Sequence, residues 1–133
     1  QAQKVYRKKD TRAQRDYPLI PTGAIPAELS RRAKELFSED GKVREVSIVW
    51  DDMEDPLALF EIIREPRSIR LDKRIRKKLL GNRRGSAVDL PLVKILFFLL
   101  LSEDVEKIRS SAERKKQLSN ISEILLLALK NEN

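Results

Sequence analysis

Four carboxylates crowd into one short stretch, at Asp51, Asp52, Glu54 and Asp55. Two of them on one surface would suit a Mg²⁺ ion and phosphodiester chemistry. The competing reading is plainer. Asp55-Pro56 has the form of a helix start, and acids there favour the helix dipole and stay solvated. A second group is basic. Arg70, Lys73, Arg74 and Lys77 fall at i, i+3, i+4 and i+7, one face of a helix if the segment is helical. Arg83 and Arg84 extend it into a Gly-flanked loop. Such a face can follow a phosphate backbone with steep salt dependence. It can equally be a solvated surface, or a surface that pairs with an acidic partner. Aromatic residues are not interleaved with these cations, so any nucleic-acid contact would be to backbone rather than by base stacking. The loop 81–86 has glycines but no lysine where a phosphate-binding loop needs one.

The 133 residues include no histidine and no cysteine. Those two zeros exclude a disulfide framework, a thiol nucleophile, a zinc site of the usual ligands and any His-based triad or proton shuttle. Carboxylates, lysine and tyrosine remain as acid–base candidates, and no spacing among them suggests catalysis. The expectation is a chain that is not an enzyme, with no catalytic residues, no metal and no cofactor.

The net charge of +7 is distributed in blocks. Residues 1–34 are basic, 35–63 acidic, 64–84 strongly basic and 85–133 balanced, so the blocks either pair within the fold or face different partners. The longest apolar run, residues 95–101, is far below the roughly 20 residues a bilayer crossing needs. No membrane association is expected, and the basic N-terminus lacks the apolar stretch of a secretory signal.

The elements that must carry these groups read as follows. Residues 4–9 suit a short strand, and 12–23 are turn-rich. A helix is expected from Pro26, with Gly41 as its stop, and Val46, Ile48 and Trp50 alternate as in a strand or an extended connector. A helix is expected from Asp55 to Pro66, with Leu57, Phe60 and Ile63 on its buried face, and a second over 68–80 along Leu71, Ile75 and Leu79. Asp89-Leu90-Pro91 opens the most apolar helix, which is apolar nearly all round and so belongs at the centre of a bundle. Asn120 and Glu123 have capping-box spacing before a final helix over 121–129. The fold class is α+β, mostly α: a small N-terminal β-containing lobe (1–45) followed by a bundle of four to five helices (46–133).

Segments 90–101 and 121–129 carry more apolar surface than a small chain needs for its own interior. Leu92, Ile95, Phe98, Leu99, Ile124 and Leu127 are therefore the expected subunit-interface residues. The alternative is that all of them fill an intramolecular core.

The order of these segments resembles the GINS replication factor, and more closely its archaeal subunit related to the eukaryotic Psf-two and Psf-three subunits. The family's "G…P…G…LPxWLA" stretch is similar to residues 16–29. There Ile25-Pro26 stands for Leu-Pro and Leu29 for the Leu after Trp, while Glu28 replaces the Trp and Ser30 the Ala. Ile48-Val49-Trp50-Asp51 resembles the family's Pro-Glu-Trp link without its Pro. Residues 89–96 resemble the "LPxxYxELxxxLL" helix without its Tyr. The resemblance implies a non-enzymatic scaffold in a heterotetramer with a second GINS subunit. It would tie the MCM helicase to a RecJ- or Cdc45-like partner, in the archaeal cytoplasm at the nucleoid or in a eukaryotic nucleus. Its helices would build the tetramer core, and the stripe from Arg70 to Lys78 would face an acidic partner or the DNA backbone. The alternative outside this family is a basic nucleic-acid-binding module.

Overall fold

A computed structural model describes residues 17–81 and 89–132. In chain order the elements are β1 (Leu19–Thr22), α1 (Ala27–Phe37), β2 (Arg44–Asp51), β3 (Phe60–Arg64), β4 (Arg67–Asp72), α2 (Lys73–Leu80), α3 (Pro91–Glu106) and α4 (Ala112–Lys130). The fold is α+β and mostly helical, with about half of the described residues in helices. One sheet has the order β1-β2-β4-β3. β1, β2 and β4 run parallel, and β3 is antiparallel to β4.

Strand alternation sorts the sheet into two unlike faces. Val46 and Ile48 of β2, Ile69 and Leu71 of β4 and Phe60 of β3 are buried on one face. Phe97, Phe98 and Leu101 of α3 close over them, with Phe60 and Phe97 ring centroids 6.0 Å apart. Leu118, Ile121, Leu125 and Leu129 of α4 complete this layer. The other face carries Glu45, Ser47, Glu61 and Arg70, none of them buried. α1 lies along β1 and has no buried residue.

Several expectations are corrected. The helix expected over 55–66 is a loop followed by β3. Phe60 and Ile62 alternate with Glu61, and five residues are too few to separate that from a 3.6-residue period. Pro66 does not stop a helix but sits in the β3–β4 turn, after a cis Glu65–Pro66 peptide bond. The helix expected over 68–80 is half strand: β4 buries Ile69 and Leu71, and Asp72 then caps α2, its carboxylate accepting from the Arg74 N–H at 2.8 Å. The turn-rich stretch 12–23 contains β1, where Pro21 is tolerated because β1 is an edge strand. α4 is capped by Ser111, whose hydroxyl accepts from the Arg114 N–H, and it runs unbroken through Asn120, so no capping box operates there.

The division at residue 45/46 falls inside β2, and the sheet joins strands from both sides of it. α1, α2 and α3 pack on the strands and α4 packs against the same core, rather than forming a separate bundle, and α3 has one side on the sheet instead of lying at a bundle's centre. The strand expected over 4–9 lies outside the described residues.

Candidate functional site

The site is built on α3. Pro91 occupies its first turn, and Leu90, in the left-handed region at φ 53°, turns the chain into it. Its inward side holds Lys94, Phe97, Phe98, Leu101, Asp104 and Val105. Its outward side is also apolar: Leu92, Leu96, Leu99 and Leu100 are 71%, 56%, 60% and 40% exposed. The 4-3 spacing of Leu92, Leu96 and Leu99 is the spacing of a helix–helix seam. On α4, Ile124 and Leu127 are likewise exposed. Covering this surface would release about 25 cal/mol per Å² of apolar area removed from water.

Polar braces at both ends hold α3 in this orientation. At its start the fully buried Lys94 ammonium donates to Gly23 O at 2.8 Å and to Asp89 Oδ2 at 2.7 Å. The Trp50 indole N–H donates to Asp89 O at 3.0 Å, and the Arg76 guanidinium lies 3.6 Å from Asp89 Oδ1. These contacts tie the helix to the carboxyl ends of β1 and β2. Gly23 is needed there: its φ is +94°, and an added Cβ would fall 2.8 Å from Ile48 N and O. At the other end, Arg114 Nε and Nη2 reach the two Asp104 oxygens at 2.9 Å, and Arg44 Nη2 reaches Glu106 at 2.8 Å. The Asp104 carboxyl is held below its ordinary value of 3.8, first by the Arg114 hydrogen bonds. Arg64 adds a link from β3 to Asp104 O and Ser110.

Of the expected interface residues, Leu92, Leu99, Ile124 and Leu127 are exposed, Ile95 is half-buried, and Phe98 belongs to the core. Leu96 and Leu100 were not among them, although Leu96 completes the 4-3 spacing of Leu92 and Leu99.

The basic stripe does not form as one helical face. Arg70 is on β4, with Nε 3.0 Å from Asp51 and Nη1 2.9 Å from Glu61, and these bonds raise its pKa. Arg74 donates to Pro56 O, Ala58 O and Asp72, and its pKa is raised first by the Asp72 bond. Lys73 lies 3.8 Å from Asp52, and Lys77 is exposed on α2. Arg83 and Arg84 lie outside the described residues. The acidic group is dispersed in role. Asp51 is lowered in pKa by the Asp52 N–H and then by Arg70, and Asp55 accepts from the Leu57 N–H at 2.9 Å. Among the described residues no group of three or more His, Cys, Asp or Glu is placed to hold a metal ion. No helix among them is long and apolar enough to cross a membrane.

No family model, no curated protein and no solved structure matches this chain.

Proposed function

We propose that this protein is a non-enzymatic docking subunit, and that its assembly is a GINS-like DNA replication complex. One observation carries the docking reading: α3 is apolar on the side facing the sheet and on the side facing water, with Leu92, Leu96, Leu99 and Leu100 uncovered. A helix of that kind is common inside an obligate assembly, where a neighbouring subunit covers the second side. The GINS reading adds the segments that resemble that family. Ile25-Pro26 leads into α1, and Leu90-Pro91 opens α3. On this reading a second GINS subunit covers α3 and α4 in a heterotetramer, and the complex bridges the MCM helicase and a RecJ- or Cdc45-like protein.

Phosphate-backbone binding through the basic stripe is less well supported, because Arg70 and Arg74 are committed to carboxylates and carbonyls of the same chain. The test is native mass measurement after co-expression with an archaeal GINS partner subunit and, separately, with MCM and RecJ-like proteins. A heterotetramer that Leu92→Glu with Leu99→Glu disperses is the expected result. A chain that stays monomeric, and gains no thermal stability on adding these subunits, would remove the proposal.

A further inference from the structure

The edge of the sheet formed by β3 faces a groove that none of the above uses. Among the described residues β3 is terminal in the order β1-β2-β4-β3, so one side of its backbone has no described strand beside it. The phase of the ladder is set by the Asp72 N–H, which donates to Leu59 O at 2.9 Å across the β3–β4 register. Peptide groups alternate in direction along a strand, so Glu61 and Ile63 turn theirs toward β4 while Phe60 and Ile62 turn theirs outward. Just before β3, the Leu59 N–H and Leu57 O are taken by the Ser122 hydroxyl of α4, at 2.9 and 3.0 Å. Ser122 thus ties α4 to the bend that leads into β3.

Between β3 and the first half of α4 lies a groove of about 430 Å³, of the size of small-ligand pockets. Phe60, Ile62 and Leu118 give it an apolar lining, and Leu57, 65% exposed, stands at one end. Its charges are sorted along its length. Asp55 and Glu123 stand at the Leu57 end, Lys115 and Arg64 stand toward Ser110 at the other, and Glu61 between them is paired with Arg70. Outward peptide groups, an apolar lining and a charge gradient along the strand axis together match one kind of occupant.

We infer that the β3 edge binds an extended segment of a partner protein by strand addition. The segment lies between β3 and α4 and exchanges backbone hydrogen bonds with Phe60 and Ile62. Its alternate apolar side chains enter the groove, a Lys or Arg sits at the Asp55–Glu123 end, and a carboxylate sits near Lys115. This surface is separate from the outward side of α3, so it stands or falls independently of the replication reading.

The probes are synthetic hexapeptides of alternating Val and Thr, with Lys at one end and Glu at the other, in both chain directions. Each has a counterpart N-methylated on alternate amides. Binding is followed by amide and methyl NMR shifts of the full chain. Saturable shifts at Phe60, Ile62 and Leu118 are expected for one direction, with the N-methylated peptide roughly tenfold or more weaker. Ile62→Pro removes an N–H that the β3–β4 ladder does not use, and is expected to weaken binding about as much. Should that variant fail to fold, Ser119→Met on the exposed surface of α4 fills the groove without touching the ladder and is expected to have the same effect. Glu123→Lys is expected to weaken the favoured peptide and to leave one lacking its Lys unaffected. The inference is overturned by any of three results. These are no shift at β3 up to about 1 mM peptide, equal binding of N-methylated peptides, and sedimentation showing that a second copy of the chain occupies this edge.

Discussion

Lys94 is the residue on which the placement of α3 turns. An ammonium with no exposure to solvent is stable only because the Asp89 carboxylate and the Gly23 carbonyl accept its hydrogen bonds. Lys94→Ala leaves the Asp89 carboxylate without that partner and opens a cavity, and is expected to cost about 3–5 kcal/mol in urea unfolding. Lys94→Met keeps the volume and is expected to cost less. Asp104 shows the pH side of the same design. Its folded-state pKa is lowered, chiefly by Arg114, so its stabilisation is present above the unfolded carboxylate value and lost as pH falls through the folded one. Asp104→Asn is expected to cost about 2 kcal/mol at pH 7. The gap to the unaltered chain should close as pH falls below about 4, read from unfolding midpoints across pH. A lysine or an aspartate in an apolar helix is visible in the sequence, but its partner is not. Asp89 is five residues from Lys94, whereas Gly23 is seventy-one.

At the scale of elements, the junctions decide the fold. Ser122 joins α4 to the approach to β3 through two bonds made by one hydroxyl. Ser122→Ala leaves the buried Leu59 N–H unpaired and is expected to cost about 1–3 kcal/mol, with faster hydrogen exchange at Leu59 as the local sign. Gly23→Ala forces a Cβ against the β2 backbone at Ile48 and holds a positive φ against its preference. It is expected to cost more than about 1 kcal/mol by thermal unfolding. β2 and α1 were legible from alternation and from Pro26. β3 and β4 were not, because Leu57, Phe60 and Ile63 also satisfy a helical spacing, and only the pairing of Ile62 with Ile69 and Phe60 with Leu71 selects the strand. Residues 69–72 did carry a usable signal: Ile69 and Leu71 alternate with charged residues, and Asp72 is a good helix cap.

For the whole molecule, the consequence is a sheet covered on one face and a helix layer left partly bare. Leu92→Glu with Leu96→Lys and Leu99→Glu changes only outward positions, so the isolated chain should keep its unfolding free energy to within about 1 kcal/mol. If the docking proposal holds, light scattering should show the same variant failing to assemble with a partner subunit. A large loss of stability in the isolated chain would mean that the stripe is covered from within. The charge blocks read along the chain are also resolved at this scale. Acidic Asp51 and Glu61 meet basic Arg70 across the sheet, so the second and third blocks partly neutralise each other inside one molecule.

The order of residues alone settled the missing His and Cys chemistry, the short apolar runs, and the starts of α1 and α3 at Pro26 and Pro91. These are local properties, set by side-chain type and by one helical turn of context. The tertiary structure decided that residues 60–72 pair as strands, that Arg70 and Arg74 are paired with carboxylates of the same chain, and which side of α3 meets water. That last point had no local signal. A helix apolar on every side has almost no preferred direction in its own pattern, so only the sheet, and the braces at Lys94 and Asp104, could choose one.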